Sequence, residues 1–128
     1  MTRFLILCAI YWQSAMHGVD PQLVTAMVAV ESQFDPAAVA GNCRGILQVD
    51  CRVWGRVLNI DKERMTTDVN YALCKGLCVL RYYYNLRHGD IEKALNLYGN
   101  GYKYKSDYVG KVRRAYKKLY GRASCLTW

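Results

Sequence analysis

Apolar residues recur along this chain mostly at three- and four-residue intervals, the spacing that gives an α-helix one buried face. Strand-like alternation is scarce. Thr2 is placed to cap a first helix over about residues 3 to 17, which Gly18 ends. Asp20-Pro21 is a stronger start, an acceptor side chain followed by proline at the first helical position. That second helix is expected to reach about Phe34, because Asp35 precedes Pro36 and the residue before a proline avoids helical backbone. A loop from Ala37 to Arg44, turning at Gly41-Asn42, leads into a short apolar piece, Gly45 to Val49, that reads as a turn or as strand-like. A short helix is predicted from Cys51 to Leu58. Thr67 or Asp68 caps a longer one through Leu86, stopped by His88-Gly89. Asp90 caps the next through Tyr98, broken by Gly99-Asn100-Gly101. Ser106 opens the last, with Gly121 just past its end. The pattern predicts a mostly α fold, read as a single domain over residues 1–128.

At 128 residues and 52% hydrophobic, the chain is long and apolar enough for one real core, which excludes disorder over most of its length. It holds no run of eighteen apolar residues, so no membrane-spanning helix is expected. The opening, Met1-Thr-Arg3 and then Phe4 to Trp12, mimics a short signal peptide but reads better as an amphipathic first helix. Six cysteines leave three readings open: disulfides in an oxidising compartment, buried free thiols, or a metal site. Zinc is the weakest, because the Cys43–Cys51 and Cys74–Cys78 spacings are wider than usual zinc pairs.

Charge is uneven. After residue 100 stand eight Lys and Arg residues against Asp107 alone, a net +7, which leaves +1 for the first hundred. Arg113, Arg114, Lys117 and Lys118 are the densest part. Such an end suits an anionic partner, whether nucleic acid, a lipid surface or a cell-wall polymer, or else it is a solvated helix face.

One carboxyl is placed unusually. On the second helix Leu23, Met27, Val30 and Phe34 form an apolar stripe, and at 100° per residue Glu31 lies about 80° from Leu23, between Met27 and Val24. Burial there would raise its pKa toward the range of a general acid. The alternative is an edge glutamate paired with Arg44 or Arg52.

Four blocks carry a family resemblance. Glu31-Ser-Gln-Phe-Asp-Pro-Ala37 followed by Gly45-Ile-Leu-Gln48 resembles the Glu-Ser-x-Phe-Asx-Pro-x-Ala and Gly-Leu-Met-Gln motifs of the soluble lytic transglycosylases. Ala94-Leu-Asn-Leu-Tyr98-Gly-Asn-Gly101 is similar to that family's Ala-Leu-x-x-Tyr-Asn-x-Gly, and Tyr108-Val-Gly-Lys-Val112 to its closing Tyr-Val-x-Lys-Val. The blocks stand in the family's order over roughly residues 20 to 115. Three departures stand out: Leu47 replaces the methionine, Gly99 replaces the asparagine with Asn100 one place later, and Ala40 to Arg44 replaces the usual Ser-x-x-Gly-Ala approach.

The resemblance implies a lysozyme-like α domain whose cleft binds peptidoglycan glycan strands. It assigns Glu31 as the catalytic acid/base and Ser32 as its orienting neighbour. Gln48, Tyr98 and Asn100 would contact substrate, with no metal and no cofactor. The implied reaction cuts the MurNAc–GlcNAc β-1,4 bond and leaves a 1,6-anhydro end, in the periplasm or outside the cell, by a monomer. The small size and the absence of a wall-binding repeat fit delivery by a phage or a secretion machine.

Two rivals stay open. A hydrolysing lysozyme of the goose type would draw a second carboxylate from Asp35 or Asp50. A non-enzymatic binder of glycan or nucleic acid would use the basic end with Tyr102, Tyr104, Tyr108, Tyr116 and Tyr120. No nucleic-acid motif is present, so nucleic acid is not an expected partner.

Overall fold

The computed structural model describes residues 1–100, 107–121 and 126–128. Helix α1 (Arg3–His17) starts where the Thr2 hydroxyl accepts from the Leu5 N–H, and ends at Gly18 in left-handed backbone. Helix α2 (Pro21–Ser32) is capped by Asp20, whose carboxylate accepts from the Gln22 N–H with proline at the first helical position. Both starts stand where the local signals put them.

α2 is the central helix. Leu23, Val24, Ala26, Met27 and Val28 are all fully buried, so the single apolar stripe expected for it is corrected to burial all round its first two turns. It packs against α1 and against α7 (Tyr108–Tyr120). It also stops two residues short of Phe34, because Gln33 and Phe34 both take positive φ, 52° and 63°, ahead of the Asp35-Pro36 pair.

The predicted loop holds two strands, and the piece read as a turn or strand-like is a turn leading into a third, in a small antiparallel sheet of order β1 (Val39–Ala40), β2 (Cys43–Arg44), β3 (Val49–Asp50). Its register pairs Ala40 with Cys43 and Cys43 with Asp50. Two-residue strands carry no alternation to read, so only tertiary pairing reveals them. Gly45 turns between β2 and β3 at φ 84°, and a side chain there would strike the Met65 carbonyl, so only glycine fits.

Helix α3 (Cys51–Trp54) ends well before Leu58, and α4 (Arg64–Thr67) is an unexpected extra turn. Asp68 caps α5 (Val69–Leu86) through the Tyr71 N–H, and α6 (Ile91–Asn100) continues through Gly99 instead of breaking there. α5 packs on α1, α4 and α6, and α6 packs on α7. Asp107 caps α7, accepting from the Gly110 N–H, and Gly121 ends it. The predicted start at Ser106, the Gly101 break, Cys125, Arg122 and the tyrosines at 102 and 104 lie outside the described residues. Among the described residues the cysteines at 8, 43, 51, 74 and 78 are free thiols, and no helix is long and apolar enough to cross a membrane.

Candidate active site

Glu31 stands on the last turn of α2, where the helix leaves the core and meets the sheet, α6 and α7. A cavity of about 400 Å³ opens beside it, within the size range of small-ligand sites. Its wall includes Glu31, Gln48, Tyr98 and Asn100. Four residues from three distant sequence blocks thus meet in one cleft.

Each is held by specific bonds. The Ser32 hydroxyl, buried behind Glu31, donates to the Ile46 carbonyl at 2.8 Å and lies 3.2 Å from the Val28 carbonyl. It therefore ties the end of α2 to the turn that carries Gln48 and does not itself line the cavity. Gln48 takes left-handed backbone at φ 48°, and its side-chain amide donates to the carbonyls of Ala38 and Gly45 at 3.0 and 2.9 Å. Those two bonds hold an otherwise disfavoured conformation, so this glutamine first serves the loop and presents its remaining edge to the cleft. The Tyr98 hydroxyl donates to the Leu47 carbonyl at 2.6 Å, and Asn100 donates to the Asn96 side chain at 3.0 Å.

Electrostatics single out Glu31. Burial pushes its carboxyl up from 4.5 to about 7, opposed by the Tyr108 hydroxyl and by the positive charge of Lys111. Neither Arg44 nor Arg52 pairs with it: its ion-pair partner would have to be another group, and none of the described residues supplies one within 4.0 Å. The Tyr108 hydroxyl is buried beside this carboxyl yet falls short of a well-formed hydrogen bond. Burial, then the Glu31 charge, holds both the Tyr98 and Tyr108 hydroxyls well above their usual range, so both stay protonated.

Two aromatic residues of the wall were not picked out from sequence. Trp54 and Tyr83 line the cleft with ring centroids 5.7 Å apart and nearly perpendicular, edge to face, which gives the wall an apolar aromatic corner. Tyr108 lay in plain view as the first residue of the fourth block, but its place over Glu31 is a product of α7 packing on α2. Asp50 also lines the cleft, with its carboxylate accepting from the N–H groups of Arg52 and Val53 as the cap of α3. Asp35 does not: it is exposed and accepts from the Ala37 N–H in its own turn. A larger cavity of about 640 Å³ lies between α6 and α7, but Glu31 does not reach it, and its charged residues include Glu92 and Arg113, engaged with each other at 2.5 Å. The smaller cleft is where the chemistry converges. No metal-binding cluster of His, Cys, Asp or Glu occurs among the described residues.

The transglycosylase SLT domain model matches residues 9–120, nearly the whole chain. The chain belongs to that family. It is accordingly a peptidoglycan-acting enzyme of the lytic transglycosylase type, with the cell wall as its site of action. Neither a comparison with curated proteins nor one with solved structures gave a match. At Gly99, which stands in place of the family's asparagine, this SLT domain packs α6 so closely on α7 that a Cβ would lie 2.1 Å from Cγ of Tyr108.

Tyr98→Phe tests the internal brace of the site. The change keeps the ring and removes the donor to Leu47, leaving a buried carbonyl unpaired at a cost of about 1–3 kcal/mol. Urea denaturation is expected to record that loss together with lower muralytic activity. Unchanged stability would mean that the hydroxyl braces nothing.

Proposed function

We propose that Glu31 is the catalytic acid/base of a lytic transglycosylation that cleaves the MurNAc–GlcNAc β-1,4 bond and leaves 1,6-anhydro-MurNAc ends, carried out by one domain spanning residues 1–128. The supporting observation is a partly buried carboxyl, with its pKa raised to about 7, in a cleft with an aromatic wall. A glutamate protonated at working pH gives its proton to the glycosidic oxygen as the bond to C1 breaks. The substrate's own N-acetyl carbonyl supports the electron-poor anomeric carbon, so no second carboxylate has to do so. Glu31, now ionised, takes the proton from the 6-hydroxyl of the same sugar while that oxygen bonds to C1. The proton count closes, and Glu31 ends as it began. An attacking group held on the same ring outcompetes water through its effective concentration.

The protein's share is positional. Ser32 and the Ile46 carbonyl anchor the end of α2, while Tyr108 offers a donor to the carboxylate that forms between the two proton transfers. Gln48, Tyr98 and Asn100 shape the sugar site. The basic face of α7 attracts the anionic wall, though Arg113 is held by Glu92 and Arg114 lies 3.6 Å from Asp107. Lys111, Lys117 and Lys118 are the cations of that helix without an ion pair among the described residues.

Asp50 favours the second reading. A carboxylate in the same cleft could position water, turning the outcome to hydrolysis as in inverting and retaining glycosidases. Its engagement as the cap of α3 speaks for a structural duty. Mass analysis of digested peptidoglycan separates the two: anhydro products are about 18 Da lighter, because ring closure leaves out the water that hydrolysis adds. Mainly anhydro ends are expected, unchanged in Asp50→Asn. Mainly reducing ends, lost in Asp50→Asn, would make the enzyme a hydrolase.

A further inference from the structure

A peptidoglycan strand is a polymer, longer than the cavity beside Glu31, so it has to leave the cleft across the rim. At the α3 end that rim is aromatic. Val53 and Trp54 of α3 line the cavity together with Val79 and Tyr83 of α5. Tyr82 does not line it, yet its ring centroid lies 5.5 Å from that of Trp54 and 5.6 Å from that of Tyr83. At 100° per residue Tyr82 stands about 60° around α5 from Val79, on the side away from Tyr83. Aromatic surface therefore continues from the cavity wall outward, from Tyr83 at 7% exposure to Tyr82 at 49%.

A single exposed apolar side chain is ordinary, but Tyr82 is packed against two residues of the cleft wall and extends them. Its ring is held at 70° to Trp54 and 63° to Tyr83. It is thus oriented before anything binds, and docking on it costs little side-chain freedom. The substrate class says what would cover it. A pyranose ring presents C–H groups on its faces, which an aromatic ring takes out of water, while the hydroxyls at the sugar's edge stay solvated.

We infer that Tyr82 is a distal sugar site, which binds a sugar of the strand beyond those held in the cavity and makes the enzyme favour long strands over short fragments. The inference rests on a glycan strand being the substrate, and it holds whichever way the cut end is closed.

Kinetics on two substrates test it: long glycan strands freed of their peptides by an amidase, and short soluble fragments of the same strands. Tyr82→Ala is expected to raise KM for long strands about tenfold with kcat held, the mark of lost uniform binding. Short fragments, which fill the cavity without reaching Tyr82, should react as with the wild type, and that also checks folding. Tyr82→Phe keeps the ring and should match the wild type on both substrates. Equal losses on long and short substrates, or a loss in kcat alone, would make Tyr82 a brace for Trp54 and overturn the inference. Full activity of Tyr82→Ala on long strands overturns it too, as does a wild type that cuts both lengths equally well. A Tyr82→Phe variant as weak as Tyr82→Ala would assign the effect to the hydroxyl and not to the ring. The product ends, weighed in the same digests, report the reaction separately, because anhydro and reducing ends are both compatible with a preference for length.

Discussion

Glu31→Gln is expected to abolish most muralytic activity while making the protein more stable at alkaline pH. The loss of rate should be about 10²-fold or more, the usual worth of a positioned acid/base. The stability change follows from linkage. The carboxyl has a folded pKa of about 7 against 4.5 without burial, so the folded state holds its proton more tightly than the unfolded chain does. Its contribution is thus fully present below the unfolded value and is lost as pH rises through about 7, where folding must keep a charge in a poor solvent. A 2.5-unit difference corresponds to about 3 kcal/mol at most. Glutamine cannot ionise, so Glu31→Gln should gain up to that amount near pH 8 and nothing below about pH 4. Thermal melts across this range, beside turbidity loss of purified cell walls, measure both arms. In the wild type, kcat/KM should fall as pH rises through about 7, because the first step needs the protonated acid. A variant that stays active, or one destabilised at every pH, would remove Glu31 from the role given to it.

Gly99→Asn carries the second large effect. The substitution restores the residue that the family motif has after its tyrosine, so by sequence alone it reads as a repair. The packing of α6 on α7 says otherwise, because the new Cβ would clash with the Tyr108 ring, 2.1 Å from its Cγ. Either the ring leaves its place above Glu31 or the helices part. Overpacking of this kind costs about 1–3 kcal/mol. Activity should fall by about tenfold or more, since Tyr108 would no longer face the carboxylate formed midway. Gly99→Ala should fail in the same direction, because the clash arises at Cβ. A fully active, fully stable Gly99→Asn would show that α6 and α7 can separate freely, and that Tyr108 has no part in catalysis. The two variants differ in diagnosis: loss of the acid raises stability at high pH, whereas loss of packing lowers it at every pH.

These outcomes mark where sequence reasoning reached. The helix starts at Thr2, Asp20 and Asp68 and the ends at Gly18 and Gly121 were legible, because a cap is a bond or a backbone angle set within three residues of itself. The placement of Glu31 beside apolar neighbours was legible for the same reason: 100° per residue needs no tertiary knowledge. The small sheet was not, since two-residue strands have no period, and its Gln48 conformation depends on carbonyls of Ala38 and Gly45 brought together by that sheet.

Motif order determined which residues belong to one site, but it left their duties open. Ser32 and Gln48 carried a functional expectation, and their hydroxyl and amide donate to backbone carbonyls of the loop. Tyr98 carried the same expectation and spends its hydroxyl on Leu47. The donor left without a partner beside Glu31 belongs to Tyr108, and the aromatic wall belongs to Trp54 and Tyr83. By itself the amino-acid sequence determined the helical fold, the family and the single central carboxyl. The tertiary structure alone decided the proton affinity of that carboxyl and the hydroxyl that faces it. The reason is physical: capping and periodicity act within a turn, whereas desolvation depends on every element that closes over a group, and here those elements come from four distant parts of the chain.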